Sequence, residues 1–334
     1  MEALVKQGGT VGVCQVQSPT PGQGEVIVEV ALAGLCRTDV YVARGQIPSA
    51  DPLVLGHEFA GVVHGVGPGV DGFREGDRVG VMPIIPCGAC EWCRGGRALW
   101  CQRTQMLGVH RDGAFARRVA VPARCVYPIP DRMDWRLAAY LEPVAASMAV
   151  LDAPIHPGQR GLIFGDNRIS LLTGRVLAAA GFGVVPICDV EHGGELEGDA
   201  YDFVIETFAT DETMAHIVRA LRPGGTLVLK SRAWKKVGFD LWAVLRKELT
   251  LKATQYRDLA EAIELAASGR LEVEDLLGDS HPLASFEAVF DSAGLGGPTK
   301  QFFAPSGVLS PRAQPAAERA RAGARDVRAP AGVP

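Results

Sequence analysis

One thiol, one imidazole and several carboxylates stand on three separated segments: Gly34-Leu35-Cys36-Arg37-Thr38-Asp39, Gly56-His57-Glu58 and Leu141-Glu142-Pro143. A catalytic zinc needs such a supply, with three protein ligands from different elements and one position open for water or substrate. Cys36, His57 and Glu142 are the expected ligands, and Asp39 is the carboxylate expected to hold the ring N–H of His57. A buried carboxylate at Glu142 without a cation would be costly, which speaks against a role confined to capping a helix. A second set, Cys87, Cys90, Cys93 and Cys101, has the close spacing of a closed, all-thiolate structural zinc site.

The elements that must position these residues change along the chain. Residues 2–33 alternate apolar and polar side chains around a Pro/Gly break at 18–22, the pattern of short antiparallel strands and turns. Glycine-rich turns follow between 62 and 80. Residues 136–153 are rich in Ala and Leu and read as helix, with a local break expected at Pro143. From Gly161 the order becomes strand (161–165), helix (169–180) and strand (184–189), the first half of a doubly wound α/β nucleotide-binding domain. Further strands are expected at 201–206, 226–230 and 249–253, and helices at 212–221 and 259–268.

The phosphate-binding loop is degraded. Where the dinucleotide fingerprint has three glycines, this chain has Gly165-Asp166-Asn167-Arg168-Ile169-Ser170. Asn167 and Ser170 replace the glycines that allow close approach of pyrophosphate and tight helix–strand packing. Asn tolerates unusual backbone angles and Ser is small, so Gly165, Asn167, Arg168 and Ile169 remain the expected cofactor contacts, in tighter space. Asp189 ends the second strand, where an acid bonds the adenosine ribose and disfavours a 2'-phosphate, which points to NAD rather than NADP.

Composition limits the alternatives. The 334 residues are 47% hydrophobic and 22% charged, enough for two domains with sizeable cores. A formal charge of -4 with pI near 6.0 gives no electrostatic case for nucleic acid or an anionic membrane. No apolar run reaches the roughly 18 residues of a membrane-spanning helix, and the N-terminus reads as strand and turn rather than signal peptide. Clustered cysteines argue for metal thiolates in a reducing cytoplasm rather than disulfides. Cys14, Cys125 and Cys188 lie in apolar, strand-like runs and are expected in the core.

The GLCRTD and GHEFAGVV segments, the four-cysteine lobe, the DGAFARRVAVP run and LEP together resemble a zinc-dependent medium-chain alcohol dehydrogenase, over roughly residues 1–304. Glu in LEP, in place of the Cys of liver-type enzymes, is similar to the polyol, sugar and threonine dehydrogenase branch. The resemblance implies a GroES-like, partly closed β-barrel catalytic domain over 1–150 with a zinc lobe at 85–105, then a Rossmann domain over 151–280. Residues 281–304 would return to the catalytic domain, and 305–334 read as a disordered tail. The family places a helix and a strand where this chain has only 190–200, so the sheet should lack edge strand 3.

The implied activity is hydride transfer between NAD(H) and a small alcohol or ketone, with two zinc ions per chain. Thr38 would be the proton-relay hydroxyl, and Glu58 would sit behind the ligands or exchange with one of them at the metal. Tyr41 stands where liver-type relatives end the relay in histidine. Arg37 would meet the cofactor pyrophosphate or an anionic substrate. A homodimer or homotetramer would pair through the strand at 249–253 or its neighbour, beside the apolar run 239–245. The competing expectation is a zinc-retaining lyase, isomerase or binding subunit that has lost nicotinamide binding.

Overall fold

A computed structural model of the chain describes residues 1–307 apart from 190, 233–234, 295–296 and 298. The tail expected from 305 lies, past 307, outside the described residues.

The alternating run Glu25–Gly34 is the hub of a seven-stranded, mostly antiparallel sheet. It pairs with Glu58–Val66 on one side and with Arg118–Pro122 and Lys300–Phe303 on the other. Arg78–Val81, Val126–Pro128 and Leu277–His281 complete the sheet. Two register shifts in the pairing of Glu25–Gly34 with Glu58–Val66 let the long strands bend, the curvature a partly closed barrel requires. Phe59, Phe115 and Phe303 are fully buried at its centre, with the rings of Phe115 and Phe303 edge to face at 4.9 Å.

Register in this sheet decides the chemistry. Gly34 is paired with Glu58 on one neighbour and Phe302 on the other. Cys36 and His57 therefore come together at one end of the sheet, with Lys300 beside them. Gly34 makes the crossing possible, because a Cβ there would lie 2.6 Å from Lys300 Cε and 2.9 Å from Glu58 Oε2.

The second layer is a five-stranded parallel sheet in the order Ile187–Cys188, Gly161–Phe164, Tyr201–Glu206, Leu221–Leu229, Thr250–Ala253. Its inner strands are continuous apolar runs, as a parallel sheet covered on both faces demands. Among the described residues no strand lies between Cys188 and Tyr201, so edge strand 3 is missing as expected.

Four details differ from the sequence reading. The second strand shrinks to Ile187–Cys188, with Val184 97% exposed; lacking an outer neighbour, it has a partner on one side only. The helix break falls at Tyr140, between Trp135–Ala139 and Leu141–Met148, instead of at Pro143. Pro143 sits in the first turn of the second helix, where its missing N–H costs nothing, and its ring excludes a continuous helix four residues back. Strand pairing also includes Leu221, across the turn at 222–225. Cys125 is buried, but Cys188 is half-buried and Cys14 exposed, because Thr10–Gln15 is the outer strand of its small sheet.

Candidate active site

Cys36 immediately precedes the helix Arg37–Ala43, and His57 immediately precedes the strand Glu58–Val66, which Glu58 opens. Ligand atoms of Cys36, His57 and Glu58 lie within 4.8 Å of one another. Asp39 ties the first two together: its Oδ2 accepts from the Cys36 backbone N–H at 2.9 Å, and its Oδ1 receives the His57 Nδ1 proton at 2.9 Å. Asp39 and His57 are wholly buried, and His57 Nε2 has no hydrogen-bond partner. A buried, orphaned ring nitrogen aimed at a thiol and a carboxylate is what a metal ligand looks like without its metal.

The electrostatics call for a cation. Burial pushes the Cys36 thiol up, but the neighbouring His57, and then Lys300, outweigh it and bring it down to about 6. Burial also disfavours a charged His57, yet Asp39 and then Cys36 raise it well above its ordinary value. Positive charge at this point is favoured, and a metal ion would supply it. Burial lifts Glu58 to about 7, against the pull of Lys300, with which it forms a buried ion pair.

Glu142 stands apart from that group. It is buried on the helix Leu141–Met148, and its Oε1 accepts from the Tyr256 hydroxyl at 2.5 Å. Burial and then Glu58 raise its carboxyl, while His57 and Arg232 oppose the rise, so it is an electrostatic neighbour of the cluster. Thr38 Oγ1 lies 3.7 Å from Cys36 Sγ.

The second thiol set is also brought together, with the sulfurs of Cys87, Cys90, Cys93 and Cys101 within 4.8 Å of one another. Backbone N–H groups of Ala89, then Cys90, hold the Cys87 thiol down at about 6, and Arg103 Nη2 donates to its sulfur at 3.4 Å. N–H donors aimed at sulfur suit a thiolate cage.

A cleft between the two sheets is lined by Cys36, Arg37, Glu58, Tyr140, Asn167 and Arg168. Gly165 adopts φ 115°, where a Cβ would overlap Thr207 Oγ1. Asn167 caps the helix Arg168–Ala179 by accepting from the Ile169 N–H at 3.0 Å, and its Nδ2 donates to Thr207 Oγ1 at 2.9 Å. The helix N-terminus that should face phosphate is thus partly satisfied by its own side chain. Arg168 Nη1 donates to the Thr299 carbonyl at 2.8 Å. Asp189 receives the backbone N–H of His192 at 2.8 Å and its ring Nδ1 at 2.6 Å, so its carboxylate is engaged locally.

Sequence reasoning missed Lys300, Tyr256, Thr207 and Arg232. Thr207, Arg232 and Tyr256 follow the ends of the parallel strands Tyr201–Glu206, Leu221–Leu229 and Thr250–Ala253. The rule that ligands bind beyond the carboxyl ends of such strands could have found those three. Nothing local marks Lys300.

Residues 22–131 match the alcohol dehydrogenase GroES-like domain. A protein assigned as D-xylulose reductase A in Neosartorya fischeri is 30% identical over 292 residues, 76% of this chain and 82% of that protein. The L-galactonate-5-dehydrogenase of Escherichia coli K12 is 29% identical over 308 residues, 83% of this chain and 90% of its own. Among solved structures, a protein of Sinorhizobium meliloti described as a zinc-binding dehydrogenase, with NADP bound, superposes with TM-score 0.84 at 28% identity, covering 91% of this chain and 99% of the other. No described helix is long and apolar enough to cross a membrane.

Proposed function

The chain belongs to the zinc-dependent medium-chain alcohol dehydrogenase superfamily, on its polyol and sugar branch, and from that premise we propose how its own residues carry the reaction. It is an oxidoreductase that moves a hydride between a nicotinamide nucleotide and a small hydroxylated compound. The zinc-only alternative loses its support, because relatives matching most of the chain are named dehydrogenases and reductases. The observation that carries the site assignment is the buried, unpartnered His57 Nε2 beside Cys36 and Glu58, with Glu142 as their electrostatic neighbour.

Charge balance assigns the carboxylates. Glu58 is already neutralised by buried Lys300. Glu142 has only the neutral Tyr256 hydroxyl on Oε1, so its charge, with that of Cys36, is left to balance a dication. Cys36, His57 and Glu142 are then the protein ligands, and Glu58 is held in reserve by Lys300. Zinc bound there supplies Lewis-acid polarisation that lowers the pKa of a substrate hydroxyl. Asp39 fixes the His57 tautomer. Thr38 Oγ1, beside Cys36, accepts the hydrogen bond of the substrate hydroxyl and, as it takes that proton, passes its own on to solvent while the hydride leaves the carbon for the nicotinamide. Measuring zinc per chain together with nucleotide-linked oxidation of a polyol and sugar panel tests the reading.

NAD is the proposed nucleotide, with Asp189 at the ribose, Gly165 and Ile169 near the pyrophosphate, and Arg37 and Arg168 as cations at the cleft. Asn167 occupies space and helix N–H groups that a glycine would leave open. Restoring Asn167→Gly is expected to tighten NADH about tenfold, roughly 1.4 kcal/mol. Fluorescence titration checks it, and unchanged or weaker NADH binding would show that Asn167 is not the obstacle.

The second zinc belongs to the four thiols, and eight free cysteines suit the reducing cytoplasm. A homodimer through the edge strand Thr250–Ala253 would cover Leu241, Trp242 and Leu245, which are 71%, 65% and 63% exposed on the neighbouring helix. Light scattering should give a dimer or tetramer at micromolar concentration, and Trp242→Asp should shift it toward monomer. A monomeric parent protein would refute this surface.

A further inference from the structure

Beyond Arg37 and Arg168, given above to the nucleotide, three cationic side chains border the chemistry, and among the described residues one of them has an ion-pair partner. Lys300 is paired with Glu58. Lys230 is buried next to Glu206, and its Nζ donates to the Gln255 carbonyl at 3.5 Å. Arg232 is different. Its guanidinium lies 4.8 Å from the centroid of the Tyr256 ring, and no carboxylate among the described residues is within ion-pair distance of it. The Tyr256 hydroxyl in turn donates to Glu142. Arg232 therefore stands one aromatic ring away from the carboxylate assigned to the metal, beyond the carboxyl end of Leu221–Leu229, where α/β sheets bind their ligands. The residue as a whole is exposed.

Its charge reaches the reacting centre. Arg232 acts electrostatically on Glu142 and Cys36, and burial with the like charge of Arg232 pulls Lys230 down to about 8. Once Glu142 and Cys36 are committed to a zinc dication, nothing in the described residues neutralises Arg232. A guanidinium presents a planar fork of donors that matches carboxylate and phosphate oxygens.

We propose that Arg232 receives an anionic group of the substrate, so that the compound oxidised at the Cys36–His57 site is a hydroxylated molecule carrying a carboxylate or a phosphate. This rests on the dehydrogenase reading above. The ring of Tyr256 lies against the guanidinium, and the buried phenol–Glu142 bond fixes that ring. Arg232 is a specificity-determining residue in this account, with no part in the hydride step.

The test uses zinc-loaded protein with NAD and a panel of aldonates, the alditols of the same skeletons and the terminal phosphates of those alditols. Wild-type kcat/KM for the best anion should exceed that for its neutral alditol by about 30-fold or more. Arg232→Met should bring that ratio close to one, and Arg232→Lys, which keeps charge but not the fork, should retain part of it. The aldonate and phosphate arms tell which anion is read. A neutral alditol turned over as well as its anions, or a ratio unchanged in Arg232→Met, overturns the proposal and leaves the dehydrogenase reading intact. A lowered Tm with an unchanged ratio has the same meaning, a stacking role only. If no compound is turned over, the dehydrogenase reading fails, and calorimetry on the zinc-loaded protein decides this one. Aldonate or alditol-phosphate binding lost in Arg232→Met supports it, and binding that is absent or insensitive to the substitution overturns it.

Discussion

Replacing Cys36 with alanine should cut turnover by roughly a thousandfold or more, remove one zinc per chain and leave the fold standing. Three observations set the size of the effect. Cys36 shares a ligand group with His57 and Glu58, its thiol is brought down to about 6 by His57 and Lys300, and the hydroxyl of Thr38 lies 3.7 Å from its sulfur. Without the thiolate, His57 and one carboxylate remain, too few for a tight catalytic zinc. The substitution should not unfold the protein. The backbone N–H of residue 36 keeps its bond to Asp39, so the start of Arg37–Ala43 is preserved, and only a half-buried sulfur is lost. Metal analysis, circular dichroism and a nucleotide-linked assay on the same preparation separate the cases. Turnover within tenfold of wild type after loss of that zinc would remove the metal from the reaction.

Glu142→Gln sharpens the same argument. If Glu142 completes the site, it should lose zinc nearly as Cys36→Ala does, whereas Glu58→Gln would leave zinc in place and free Lys300. The reverse result would make Glu58 the ligand, as its place within 4.8 Å of Cys36 and His57 allows.

What could be read from the sequence and what could not follow from how each residue is placed. Candidate metal ligands are legible because zinc restricts residue type and, for the four thiols, spacing; Cys36, His57, Cys87, Cys90, Cys93 and Cys101 needed no fold to be noticed. The absent edge strand is legible because length is a hard limit, and 190–200 cannot hold a crossover helix and a strand. Lys300 was invisible because its position depends on Phe302 pairing with Gly34, a contact between distant parts of the chain. Arg232 and Tyr256 were hidden for a similar reason, as single polar residues past strand ends that only the sheet order brings toward Glu142. The fingerprint loop lies between these cases. Loss of room at Asn167 could be foreseen, but the lock it forms with Thr207 and Ser170 needed the structure, since Thr207 Oγ1 lies 2.8 Å from Ser170 Oγ and bonds the Phe164 carbonyl at 2.9 Å. Exposure of Cys14 could not be foreseen either, because apolar alternation looks the same on an outer strand as on an inner one.

Cys93→Ser is expected to release the other zinc and loosen the lobe at 85–105 while sparing the first metal. The lobe has almost nothing else to hold it. Its secondary structure is the four-residue helix Glu91–Arg94, the turn Ala98–Trp100 and a pairing of Ile84–Ile85 with Gln105–Met106 that is two residues long on each side. Of its four thiols only Cys101 is buried, and Trp100, packed edge to face on Trp92 at 5.3 Å, is 58% exposed. So little buried apolar surface cannot offset the entropy of ordering such a loop, a gap that metal–thiolate bonds would close. A serine hydroxyl does not ionise near neutral pH and is a poor zinc ligand, so one substitution should empty the site. The global transition need feel only part of the loss, because the lobe can open locally; a fall in Tm on the order of 10 °C is expected. Limited trypsin digestion gives the sharper readout, since Arg94, Arg97 and Arg103 lie within the lobe and Arg103 is anchored to Cys87 Sγ. Early cleavage at those arginines in Cys93→Ser, with one zinc retained and an otherwise intact digestion pattern, is the predicted result. A parent protein cut there as quickly as the variant, or a variant that keeps both zinc ions, would show that the four thiols do not form a structural metal site.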